Sequence, residues 1–146
     1  KTGEAIAYMA LNNDFTRFIA LAENIMQNLS NRDSLNFGEK HLQSILFALL
    51  FPTNIYSVIT EYEVGRRYID VFLQKRDSSM DINQFILELK YLPKLQANQL
   101  AEVREKAVEQ VKAYASHERF KKEERLHAYV IVFVGVKAEV VEEITF

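Results

Sequence analysis

The sequence predicts an α/β domain built on a mixed sheet, and three observations carry that expectation. Apolar residues recur at helical spacing up to Pro52. Three alternating segments follow between residues 57 and 92, and after another helical stretch residues 128–136 are apolar on both faces. The order helix, three strands, helix, strand is that of an α/β domain with a mixed central sheet flanked by helices.

Residues 4–29 read as helix with a break at Leu11-Asn12-Asn13-Asp14, where an Asn or Asp can cap the helix carrying Phe15, Phe18, Ile19, Ala22, Ile25, Met26 and Leu29. Residues 30–37 form a polar connector and the expected boundary between an N-terminal helical segment and the domain proper. Leu42, Ile45, Leu46, Leu49 and Leu50 then mark one face of a helix over 38–51, which Pro52 stops, and Glu39 sits on that stripe, three residues before Leu42. Residues 57–64, 68–74 (after a turn at Gly65) and 84–92 predict a meander of three antiparallel strands. Residues 98–115 are helical again, with Val103, Ala107, Val111 and Tyr114 on one face, and a charged helical turn is expected to continue to Glu124. The segment 128–136 then reads as a central strand covered on both sides.

With 146 residues, 49% hydrophobic and 26% charged, the chain has the composition of a single globular domain. The absence of cysteine excludes disulfides and thiolate zinc sites and is compatible with a cytoplasmic setting. His41, His117 and His127 lie far apart without HxxxH spacing and read as surface or rim residues. The longest apolar run is too short to span a bilayer and the first residues do not form a signal peptide, so no membrane association is expected. An opening Lys1-Thr2-Gly3 that runs straight into helical sequence suggests a piece of a longer polypeptide. The net charge of −2 and a pI near 6.0 give no global footprint of a nucleic-acid binder, so such a partner must be held locally. Basic residues gather at Arg66-Arg67, at Lys90 with Lys94, and among glutamates from Arg119 to Arg125.

Strand alternation in 84–90 puts Phe85, Leu87 and Leu89 on one face and Ile86, Glu88 and Lys90 on the other. Two opposite charges thus share a face within a strand that otherwise reads as buried, and buried charge asks for a partner or a metal. On the preceding strand Tyr68, Asp70 and Phe72 share a face, and antiparallel pairing can bring Asp70 beside Glu88. Two carboxylates and a lysine suit a hard cation such as Mg²⁺, which lowers the pKa of bound water, with Lys90 orienting that water or stabilising charge on a phosphate. On spacing alone, the simpler explanation is an ordinary Glu88–Lys90 pair on a solvent face, with Asp70 a plain exposed carboxylate, and it stands ahead of the metal site. Gln110 and Tyr114, one turn apart beside an apolar stripe, and Glu39 on another place further polar groups where a core should be. The Tyr114 ring reads as mostly core, and the other five, Glu39, Asp70, Glu88, Lys90 and Gln110, fit one shared cleft.

In chain order, Glu39, Asp70, Glu88-Leu89-Lys90 and Gln110 resemble the PD-(D/E)XK nuclease superfamily, whose core runs αβββαβ. The stretches Ser30-Asn31-Arg32-Asp33, GRRYIDVFLQ (65–74), FILELKYL (85–92), AVEQVKAY (107–114) and VFVGV (132–136) look most like the nuclease-like domain found C-terminal to AAA-ATPase-like domains in gut anaerobes. Ile69 stands where the superfamily's name has proline. The resemblance implies a restriction-endonuclease-like fold over 37–146, with 1–36 as a helical connector to an ATPase-like domain in the parent chain. It implies that Asp70 and Glu88 hold Mg²⁺ or Mn²⁺, with the Leu89 carbonyl and Glu39 as further ligands, that Lys90 acts near the attacking water, and that Gln110 steadies the site or contacts the nucleic-acid backbone. Tyr114, Arg67 and Lys94 fall on the substrate side. No GxxxxGK[ST] is present for nucleotide hydrolysis by this chain.

Three functions follow as alternatives. The first is a metal-dependent nuclease domain cutting nucleic acid, DNA before RNA, related nucleases often being homodimers. The second is a catalytically inactive nuclease-fold module serving an ATPase partner. In the third, the charged strand pair is a satisfied salt bridge of a purely structural domain.

Overall fold

A computed structural model describes residues 1–32 and 38–146. Helices α1 (Thr2–Asn12), α2 (Thr16–Arg32) and α3 (Glu39–Leu50) precede strands β1 (Tyr56–Val64), β2 (Arg67–Lys75) and β3 (Gln84–Leu92). A 3-10 turn (Lys94–Gln99) leads into α4 (Leu100–Ala115), and a second (Glu118–Phe120) precedes β4 (Leu126–Val134) and β5 (Lys137–Ile144). The strands form one sheet in the order β1-β2-β3-β4-β5, with β3 and β4 parallel and every other neighbouring pair antiparallel. This is the mixed α/β architecture expected, consistent with a restriction-endonuclease-like fold.

The break between the first two helices lies where the sequence placed it. Asn13 ends α1 in the left-handed region at φ 54°, and Asp14 Oδ1 accepts from Thr16 N at 2.8 Å to start α2. Helix α2 extends through Arg32, past the expected start of the connector, and residues 33–37, with the 36/37 boundary, lie outside the described residues.

The sheet has two apolar layers. Val71, Leu73, Phe85, Leu87, Leu89, Tyr129, Ile131 and Phe133 pack against α1, α2 and α3. Ile69, Phe72, Ile86, Val130 and Val132 pack against α4. Strand β4 therefore alternates between two covered faces, which explains its unbroken apolar run.

Three expectations need correction. The charged helical turn to Glu124 does not form: His117 turns to extended geometry (ψ 143°), and only a 3-10 turn follows, with Phe120 buried against Phe72. Strand β5 was not expected; it is an edge strand whose exposed residues interrupt the apolar signal. Glu39 is the exposed first residue of α3 and not part of its buried stripe, because the stripe has run off the end of the helix.

Candidate active site

Asp70 lies where the sheet opens on both of its sides. The β1–β2 ladder pairs Thr60 with Val71 and Tyr62 with Ile69 but skips Glu61 and Asp70, and Glu61 has φ 51°. The β2–β3 ladder runs only as far as Val71 and Leu87, one step short of Asp70 and Glu88. Strict alternation on β2 therefore fails at Asp70: Ile69 and Phe72 both pack on the α4 side, and Tyr68 is exposed, not on a common face with Phe72. In the gap, Asp70 Oδ2 accepts from Leu89 N at 2.8 Å, a backbone donor left without its ladder partner.

Glu88 emerges on the α4 side of β3 and is 4% exposed. Its Oε1 accepts a hydrogen bond from the Tyr114 hydroxyl on α4, and its Oε2 lies 3.2 Å from Lys90 Nζ. The Glu88–Lys90 pair therefore exists, as the simpler reading of the strand required, but it is buried at its acidic end and shares its surroundings with a second carboxyl. Burial, and then the charge of Glu88, push the Asp70 pKa up to about 7. Burial likewise raises Glu88, against the lowering effects of the Tyr114 hydrogen bond and Lys90. Burial works against the Lys90 ammonium, yet Glu88, Glu39 and Asp70 together hold its pKa above the ordinary value. Lys90 is thus a fixed cation rather than a ready proton acceptor. Glu39, at the rim, is raised first by partial burial, with Lys90 opposing and Asp70 adding to the rise.

Beside this cluster lies a cavity of about 420 Å³ lined by Arg67, Lys90, Val103, Lys106, Glu109 and Gln110. Of the predicted residues, Lys90, Gln110 and Arg67 line this cavity, while Glu88 and, through it, Tyr114 are joined to Lys90 by hydrogen bonds and Asp70 and Glu39 act on it by charge. Lys94 is exposed on the turn after β3 and does not line the cavity. Lys106 was missed by the sequence reading, although it stands one helical turn before Gln110 and so shares its face. The Tyr114 ring is core, as expected, but its hydroxyl reaches the acidic pair.

Among the described residues no three His, Cys, Asp or Glu side chains are disposed as a group to hold a metal ion. The residues present nevertheless fit a hard divalent cation. Two carboxyls are confined together at a buried point where both cannot ionise without compensation, and Gln110 Oε1 is a buried acceptor with no partner among the described residues.

Residues 37–143 match the model of the PD-(D/E)XK nuclease superfamily. The chain belongs to that superfamily. No curated protein matches the chain. Members of this nuclease superfamily typically use divalent metals, in keeping with the all-oxygen chemistry of the acidic pair. Among the described residues no helix is long and apolar enough to cross a membrane.

Proposed function

We propose that this domain hydrolyses phosphodiester bonds in nucleic acid, DNA in preference to RNA, with Mg²⁺ or Mn²⁺. One observation carries the reading: Asp70 and Glu88, from two strands that part at this point, are held by Leu89 N–H and by Tyr114 of α4, and Glu88 pairs with Lys90, which lines the cavity with Gln110 of α4. Asp70 and Glu88 would hold the cation, with the Leu89 carbonyl and Glu39 as further donors. The bound cation would activate water and offset charge on the phosphate. The chain's own residues prepare that site. Leu89 N–H fixes one Asp70 oxygen, Tyr114 fixes Glu88, and Lys90 presents a positive charge to a phosphate oxygen. As part of the same reading, the domain acts in the cytoplasm, alone or as a homodimer, joined through residues 1–36 to an ATPase-like domain.

The test is cleavage of plasmid and oligonucleotide substrates by the purified chain with Mg²⁺ or Mn²⁺, with an EDTA control. Cleavage that EDTA stops and Glu88→Gln abolishes, with folding intact, is the expected result. A chain inert with both ions, and without a metal-dependent rise in melting temperature, would sink the proposal. That outcome would favour the second reading, a quiet binding module, which the net charge of −2 supports.

A further inference from the structure

We infer that the cavity beside α4 is a subsite for one backbone phosphate of the nucleic-acid substrate, held by Arg67 and Lys106, with Glu109 holding its affinity down. The inference rests on the nuclease reading and assigns a substrate contact next to its acidic pair.

Position is the first support. The cavity adjoins the acidic pair through Lys90, which lines it and whose Nζ lies 3.2 Å from Glu88 Oε2. A phosphate in the cavity would therefore flank the one attacked at Asp70 and Glu88. Phosphate contacts of this kind fix the register of a nucleic acid without reading its sequence.

Charge is the second. Three of the four charged side chains in the lining, Arg67, Lys90 and Lys106, are cations. Lys90 is engaged by Glu88. Arg67, the first residue of β2, makes no hydrogen bond or ion pair among the described residues, so its guanidinium fork can take two phosphate oxygens. Lys106 reaches the cavity from the face of α4 that also carries Val103 and Gln110. Its bond to Glu102, 3.4 Å long between two mostly exposed side chains, contributes little and is readily exchanged for a phosphate.

Glu109 gives the inference its sign. It is the one carboxylate of the lining, three residues beyond Lys106, and among the described residues it pairs with none of the cavity's cations: Lys106 turns to Glu102 and Lys90 to Glu88. It leaves the cavity cationic but weakens its pull on an anion. Neutralising it should therefore strengthen binding, the reverse of what loss of an ordinary contact does.

The deciding experiment measures binding of a fluorescein-labelled DNA oligonucleotide, single-stranded and as a duplex, to the full chain in EDTA over a range of salt. Lys106→Ala and Arg67→Ala should each weaken binding about tenfold and reduce the slope of log affinity against log salt by about one. Glu109→Gln should tighten binding about threefold, and Lys106→Arg should retain it, all with the melting temperature unchanged. Lys112→Ala and Glu105→Gln make the same charge changes at exposed positions of α4 outside the cavity, and should alter affinity by less than about twofold. Equal effects of cavity and control variants, weaker binding by Glu109→Gln, or no binding of either form overturns the inference. Metal-dependent cleavage judges the nuclease reading separately: a chain that cuts but treats Lys106→Ala like Lys112→Ala loses only this inference. One that binds as described and never cuts loses only the nuclease reading.

Discussion

Asp70 and Glu88 are two carboxyls in a space that accommodates one uncompensated charge, and this makes the fold's stability depend on pH in a definite direction. The Asp70 pKa is about 7 in the folded protein against an ordinary 3.8, so across that interval the folded chain keeps a proton that the unfolded chain has released. The resulting stabilisation is complete below about pH 4 and is lost as pH rises through 7. Glu88, also raised, acts in the same sense. In EDTA the melting temperature should therefore fall between pH 5 and pH 8, and Asp70→Asn, which can still accept from Leu89 N, should flatten that slope. Added Mg²⁺ should restore more stability at pH 8 than at pH 5, because it binds the ionised pair. A slope identical in wild type and Asp70→Asn would show that the pair does not titrate in this way. Tyr114 invites a second prediction. Tyr114→Phe keeps the buried ring but deprives Glu88 Oε1 of its donor, at a cost of about 1–3 kcal/mol in urea unfolding. It should also shift the pH midpoint of metal binding upward, since that hydrogen bond favours the ionised carboxyl.

Each antiparallel hairpin at the cleft end of the sheet turns on a glycine. Gly65 (φ +64°) joins Val64 to Arg67 and Gly135 (φ +61°) joins Val134 to Lys137, both in two-residue loops whose first position needs positive φ. Gly135→Ala should cost about 1 kcal/mol from the conformation alone, since its added Cβ would meet only Lys94 Cβ at 3.7 Å. Gly65→Ala should cost a similar amount, and because Arg67 follows two residues later it should also weaken nucleic-acid binding, which Gly135→Ala should not. Thermal melts and the binding assay together separate the two effects. At this scale the sequence was most informative where a helix or strand buries a whole face. The α3 stripe, the alternation of β3 and the doubly covered β4 were all legible because burial imposes a period on them. Strand β5 was not, because an edge strand with one solvated side alternates weakly and Glu139, Glu142 and Glu143 break up its valines. The convergence of Asp70 with Glu88 could be anticipated from antiparallel pairing. The opening of the β1–β2 ladder at Asp70 could not, since it coincides with the positive φ of Glu61, a residue whose type does not announce it. His127 was read as a rim residue, yet it is half-buried, with Nδ1 2.6 Å from Glu143 Oε2 and Nε2 2.9 Å from Asn83 Oδ1. Such a network joins β4, β5 and the loop before β3, and no local spacing reveals it.

The superfamily match begins at residue 37, but the hydrophobic core does not. Ile6, Met9, Phe15, Phe18, Ile19 and Met26, from α1 and α2, are all buried in the layer that covers Phe85, Leu87 and Tyr129 of the sheet. Phe15 stands edge-on to Phe85 with ring centroids 4.9 Å apart, and Ala10 O accepts from both Asn83 N and Asn83 Nδ2. Burying six large apolar side chains contributes on the order of 10 kcal/mol, comparable to the whole net stability of an ordinary domain. Whatever else residues 1–32 connect to, they therefore serve as one wall of the fold that holds the acidic pair, although the cleft itself is lined by the sheet's far end and α4. A chain lacking residues 1–32 should lose its cooperative thermal transition and bind a hydrophobic dye such as ANS, while the full chain melts in one step. Phe18→Ala in the full chain provides the graded version: it should cost about 3–5 kcal/mol and leave nucleic-acid binding at low temperature intact. A truncated chain that melts cooperatively near the full chain's midpoint would mean that the sheet's exposed face is stable without this cover, and that the boundary of the family match is also a boundary of folding.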